Sequence, residues 1–233
     1  MNHTILLHDF SSIDYKEGWD FQEKLFNRLV EDKKAERDRE QHLIFCEHPH
    51  VYTLGKSGTE NNLLINEEFL KKINATFYKT NRGGDITYHG PGQLVGYPIF
   101  DLDLMNLGLK QYIFQLEEVI ISTLQVFGMV GTRMEGATGV WLDVNVPAKA
   151  RKICAIGVRS SHWVTMHGFA FNVNTNLEYF NYINPCGFVD KGVTSLQKEL
   201  GKPIELQLVK DEVTKAFGEI FNINFSISNN QLV

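Results

Sequence analysis

Of the three cysteines, Cys46, Cys154 and Cys186, one is set unlike the others. Cys46 and Cys154 lie in apolar runs, where a thiol packs as a small hydrophobe. Cys186 stands in Asn184-Pro185-Cys186-Gly187, between a residue that stiffens the chain and one that frees it. A thiol presented at such a turn can have neighbouring backbone N–H groups aimed at an oxyanion, as nucleophilic acyl transfer requires. Lys152 opens the otherwise apolar run KICAIGV. Lysine is seldom buried without a partner, so it is either a working group or a solvent-facing strand end. His167, in MHGFAFNV, has the plain reading of a satisfied core histidine.

Asn81 to Gly92 reads NRGGDITYHGPG. Paired glycines let backbone approach a ligand closely, and Arg82 can grip an anionic or carbonyl group with two hydrogen bonds. A glycine-rich hairpin with no ligand fits these residues equally well. Gly55-Lys56-Ser57 is not a phosphate-binding loop, because the glycine required five residues earlier is His50. Cys46, His48 and His50 are close enough to suggest a metal. Pro49 interrupts them and no fourth ligand is evident, so a core cysteine with two site-lining histidines fits better.

These residues must be carried by a frame. Strands are expected over Ile5–Phe10, His42–Glu47, Val51–Leu54, Ala75–Tyr78, Gln93–Leu102, Gly139–Val144, Lys152–Arg159, Val164–Asn172 and Asn224–Ile227. Helices are expected over Tyr15–Arg39, Asn66–Ile73 with Asn66 as cap, Leu109–Phe127 stopped by Gly128, Leu177–Tyr182, Val193–Leu200 and Leu206–Phe221. The glycine-rich stretch Asn81–Gly92 interrupts the strands, which resume at Gln93. Strands and helices mix without strict alternation, which predicts an α/β (α+β) fold with a mixed β-sheet flanked by helices. No linker, repeat or low-complexity tract divides the chain. One catalytic domain over 1–233 is expected, its motif-bearing part spanning about 42–205.

The 233 residues, 43% hydrophobic and 22% charged, suffice for a sizeable core. A net charge of −5 gives no sign of a nucleic-acid partner. Three scattered cysteines do not form a disulfide framework. The opening MNHTILLHDF lacks the pattern of a signal peptide, and no apolar run is long enough to span a membrane. A cytoplasmic protein is expected, without metal or cofactor.

RGGDITYHGPGQLVGYPI, RKICAIGVRSSHWVTMHGFAFNV and INPCGFVDKGVTSL, with HPHVYTLGK upstream, resemble the lipoyl(octanoyl) transferase family from about His48 to Leu200. The resemblance implies the fold of the lipoate- and biotin-protein ligases. It implies octanoyl transfer from octanoyl-acyl carrier protein to a lysine of lipoyl domains, those of 2-oxoacid dehydrogenase complexes and the glycine cleavage H protein. It makes Cys186 the acyl carrier and Lys152 the group that lowers its pKa. Substrate contacts are implied at Arg82, Gly83, Gly84, Asp85, Ile86, Thr87, Tyr88 and His89, at Ala155, Ile156 and Gly157, and at Gly168, Phe169 and Ala170. Asp85 belongs to that segment without a role of its own. Arg133, Lys149, Arg151 and Arg159 are candidates for a patch that docks an acidic carrier, or are scattered surface charge. The rival readings are an ATP-dependent ligase on the same fold, a cysteine hydrolase with His89 or His167 as base, and an acyl-binding protein that does no chemistry.

Overall fold

The computed structural model describes residues 3–184 and 191–228. In chain order, β1 (His3–Ser12), α1 (Tyr15–Lys34), β2 (Gln41–Glu47), β3 (Val51–Leu54), α2 (Glu67–Lys72), β4 (Thr76–Lys79) and β5 (Ile86–His89) form the first half. Then follow β6 (Gln93–Ile99), α3 (Leu109–Val126), β7 (Thr132–Met134), β8 (Ala137–Leu142), β9 (Arg151–Ser161) and β10 (Val164–Asn172). The chain ends with β11 (Gly192–Val193), α4 (Leu196–Leu200), α5 (Leu206–Phe221) and β12 (Ile223–Ile227).

Among the described residues the strands form a nine-stranded sheet, β12-β1-β2-β6-β10-β9-β8-β7 with β11 beside β9, and a three-stranded sheet, β4-β3-β5. β1 runs parallel to both neighbours, whereas β2, β6, β10, β9, β8 and β7 pair antiparallel in turn, so the large sheet is mixed.

Strand β2 shows why both faces are covered. Leu43 and Phe45 pack into the cluster that holds Leu116, Ile120 and Leu124 of α3 and Val213 and Phe217 of α5. Ile44 and Cys46 point the other way, into the cluster with Leu25, Phe26, Leu29 and Val30 of α1. A strand alternates its side chains between two faces, and here each face meets a helix layer, so Leu43, Ile44, Phe45 and Cys46 are all apolar. The small sheet has its own cluster, built from Tyr52, Leu54, Leu70, Ile86, Tyr88 and Ile183.

The helix starts follow ordinary capping chemistry. Asp14 Oδ1 accepts from the Lys16 N–H at 2.8 Å, Asn66 Oδ1 from Phe69 at 2.9 Å and Ser195 Oγ from Lys198 at 3.2 Å. The expected extension of α1 to Arg39 does not occur. Glu36 has φ 52°, and beyond this turn Arg39 swings in to reach Asp101, which is fully buried and also held by Lys33. Val193 does not begin a helix either: it belongs to β11, and α4 starts only after the Ser195 cap. The glycine-rich stretch contains a strand, β5, because Ile86 and Tyr88 supply apolar side chains to the small sheet and the backbone pairs with β3. Strand β7, unforeseen, is a three-residue partner of β8.

Strands β6 and β10 approach so closely that side chains are excluded at the contact. A Cβ at Gly168 would lie 2.1 Å from the Gly96 carbonyl oxygen. Gly168→Ala is therefore expected to lower stability by about 1–3 kcal/mol or more. In urea unfolding the midpoint should fall at unchanged slope.

Candidate active site

A cavity of about 360 Å³ opens between the two sheets. Strand β9 supplies Lys152, Ala155, Ile156 and Gly157, strand β10 supplies Gly168, Phe169 and Ala170, and the glycine-rich segment supplies Arg82, Gly84, Asp85, Ile86, Thr87 and His89. Three stretches separated in sequence thus meet at one site. Gly83 and Tyr88 stand apart from the lining. The Gly83 N–H donates to the Val158 carbonyl at 2.9 Å and ties its loop to β9. Tyr88 turns into the small-sheet cluster, where its hydroxyl bonds His50 Nδ1 at 2.7 Å. Cys186 lies outside the described residues, as does Gly187. The described chain on either side lines the same cavity, through Phe180 before and Lys191, Gly192 and Val193 after. Val193 pairs in register with Lys152.

One wall is polar and its hydrogen bonds run in one direction. Arg82 Nε and Nη2 donate to Thr53 Oγ1 at 3.2 and 2.9 Å, and Nη2 also to the Thr53 carbonyl at 2.5 Å. Since Arg82 can only donate, the Thr53 hydroxyl proton is left for His89 Nε2, 3.3 Å away. His89 Nδ1–H then donates to Gln93 Oε1 at 2.8 Å. The Gln93 amide donates to Asn172 Oδ1 at 2.9 Å, and the Asn172 amide to the Thr194 carbonyl at 3.0 Å. The Thr194 N–H closes the chain on the Lys152 carbonyl at 2.9 Å. The order of donors fixes His89 as the neutral, Nδ1-protonated tautomer. Burial acts the same way, pushing His89 down to about 3.

His167 is also pushed down to about 3 by burial, and its Nε2 bonds Asn81 Oδ1 at 2.6 Å. The same cavity is also lined by Val95, Tyr97, Phe169 and Ala170, whose apolar surface suits hydrocarbon. Lys152 Nζ donates to the Thr138 carbonyl at 3.0 Å and lies 4.7 Å over the Trp141 ring, with Lys191 6.0 Å from the same ring.

Cys46 and Cys154 are fully buried, and burial raises both thiols far above the usual cysteine range. His48 is locked between the Ile13 carbonyl at 2.8 Å and the Tyr97 hydroxyl at 2.7 Å, as a core histidine should be. Two cations of the expected carrier-docking patch are tied up at home. Arg133 binds Glu117 and Glu118, and Arg151 binds Glu199 and Asp143. Arg159 rests 5.0 Å over the Phe26 ring.

Sequence reasoning did not single out Gln93, Trp141 or Asn172. Gln93 and Asn172 are polar residues at the ends of apolar strands, yet are 1% and 4% exposed. Their position in apolar runs was the available signal.

The neutral histidines give a pH prediction. His89 and His167 titrate near 6.5 when unfolded and near 3 when folded, so acid protonates the unfolded chain first. Stability should therefore fall as pH drops from 6.5 towards 3, each histidine contributing up to about 1.4 kcal/mol per pH unit within that window. Urea titrations between pH 6 and 4.5 should show a shallower slope for His89→Gln than for the wild type.

The family model for the lipoyl protein ligase A/B catalytic domain matches residues 14–218. A relative in Parabacteroides distasonis, named octanoyltransferase, is 56% identical over 214 residues, covering 92% of this chain and 97% of the relative. The crystal structure of lipoate-protein ligase A bound with ATP superimposes with a TM-score of 0.76 at 15% identity, covering 99% of this chain and 90% of that one. Biotin protein ligase from Aquifex aeolicus aligns with a TM-score of 0.52 at 13% identity, over 94% of this chain and 69% of that one. At such identities these two structures speak for the fold, which is the expected mixed sheet flanked by helices. With a family match over most of its length and a relative above half identity, the chain belongs to the lipoyl protein ligase A/B catalytic-domain family.

Proposed function

We propose that this acyltransferase moves an octanoyl group from octanoyl-acyl carrier protein to a lysine of a lipoyl domain through a thioester on Cys186, with Lys152 as proton carrier. The acceptors are lipoyl domains of 2-oxoacid dehydrogenase complexes and the glycine cleavage H protein, and the reaction belongs in the cytoplasm. Among the described residues no helix is long and apolar enough to cross a membrane.

The observation that carries this reading is the position of Lys152. It lines a cavity that is partly apolar, and the chain that follows Cys186 returns beside it through the Val193–Lys152 register. The other two thiols are buried and held protonated. A cysteine beside a lysine ammonium is favoured as thiolate.

The protons balance over one cycle. Lys152 takes the Cys186 proton, and the thiolate attacks the thioester carbonyl. The carrier's thiol leaves with the proton returned by Lys152. Neutral Lys152 then accepts a proton from the incoming lysine amine as that amine attacks the acyl-enzyme. The Cys186 thiolate departs beside the new ammonium, and the amide is formed. A thioester is converted to an amide, so no ATP is consumed. The Gly83 N–H is spent on Val158, so the expected oxyanion donors that remain are the backbone N–H groups of Gly84 and Gly187, and the apolar lining shields the thioester from water. The hydrolase alternative is disfavoured by His89, whose two nitrogens are already engaged by Gln93 and Thr53.

Intact-protein mass spectrometry with octanoyl-acyl carrier protein should show one octanoyl group on the wild type and none on Cys186→Ala. Adding a lipoyl domain should discharge it without ATP. An adduct on the Cys186→Ala chain, or transfer from free octanoate that requires ATP, would overturn the reading. Lys152→Arg keeps the charge but cannot serve as base, so its transfer step should slow by about 10²–10⁴-fold.

A further inference from the structure

The peptide group between Thr138 and Gly139 is engaged at both ends. Its carbonyl accepts from Lys152 Nζ at 3.0 Å, and its N–H donates to Glu117 Oε1 at 2.9 Å. Glu117 comes from α3 and is 7% exposed. Its second oxygen accepts from Arg133 Nε at 3.0 Å.

The local backbone is shaped to allow this. Gly139 has φ 121°, and a Cβ there would lie 2.5 Å from the Cys154 carbonyl oxygen. Only glycine takes this conformation without strain. Here the ladder between β8 and β9 slips by one residue, since Val140 pairs with Cys154 but Trp141 with Lys152. The preceding Ala137 carbonyl is pinned by Trp141 Nε1–H at 2.8 Å. Two side chains thus grip this turn, Trp141 from within β8 and Glu117 from the helix layer.

We propose that Glu117 is a positioning residue for Lys152, acting through the Thr138–Gly139 peptide. A carboxylate accepting from one end of an amide polarises it and strengthens the carbonyl at the other end as an acceptor. The carbonyl so held fixes the lysine amine at one point of the cavity and favours its ammonium form. Arg133 keeps the buried carboxylate paired and offsets part of its charge. The proposal rests on Lys152 as the proton carrier, and its test separates the two ideas.

The titration of Lys152, followed by NMR of ¹³Cε-labelled lysine in the full chain, reads the contact directly. Glu117→Gln keeps an oxygen for the Gly139 N–H but removes the charge. Lys152 should then titrate on the order of half a unit to one unit lower, with the fold retained. Arg133→Gln removes the offsetting cation and should move Lys152 the opposite way, which keeps the test decisive if either variant folds poorly. The pH profile of acyl transfer to the lipoyl domain should shift with each. A Lys152 titration unmoved in both variants would overturn the proposal. A moved titration with an unmoved transfer profile would uphold the Glu117 contact and remove Lys152 as the base.

Discussion

The site depends on a single directed run of hydrogen bonds between the two sheets. Arg82 can only give protons, and that fact propagates through Thr53, His89, Gln93 and Asn172 to the backbone beside Lys152. Each member has one orientation that satisfies both neighbours. A buried polar network of this kind costs free energy if any member is missing, because the next group is left unpaired away from water. The glycine-rich segment and the Lys152 strand are consequently held at a set separation, which the Gly83–Val158 bond also fixes, although among the described residues no apolar cluster spans them both. Packing builds the sheets, and polar bonding relates one to the other together with the ring contacts of Tyr15 and His48 on His89.

The cavity is two-sided for the same reason. Gln93 carries the polar run across the start of β6, and Val95, two residues on, already belongs to the apolar part of the lining. An acyl chain and its carbonyl can be served by different ends of the same strands. The glycines at β6 and β10 bring the backbones together, so this surface is formed by well-packed chain with little room to adjust.

Much of this was legible in the sequence. The apolar run of β2 and the apolar spacing in α3 pointed to buried elements, because burial leaves its period in the sequence. The glycine-rich stretch and Lys152 stood out because glycine pairs and an isolated lysine in an apolar run conflict with simple packing. What stayed hidden was pairwise. Strand β5 could not be seen because its apolar positions matter only once β3 lies beside it. Glu117 sat in a helix rich in good helix formers, where an acidic residue reads as solvated. Its role arises from a partner 22 residues away at Gly139. The charged run after α1 looked like helix because propensity alone favours it, whereas Lys33 and Arg39 both serve the buried Asp101.

Keeping His89 and His167 as neutral imidazoles has a further consequence. Neither is available to soak up acid near neutrality, so the cavity has no internal buffer of the kind histidine commonly provides. Mild acidification leaves these two groups uncharged while the fold stands. The charge of the cavity is therefore untouched by mild acid at these positions, while the stability beneath it declines. The protein's failure in acid is abrupt: the imidazoles charge only when the walls that shield them come apart.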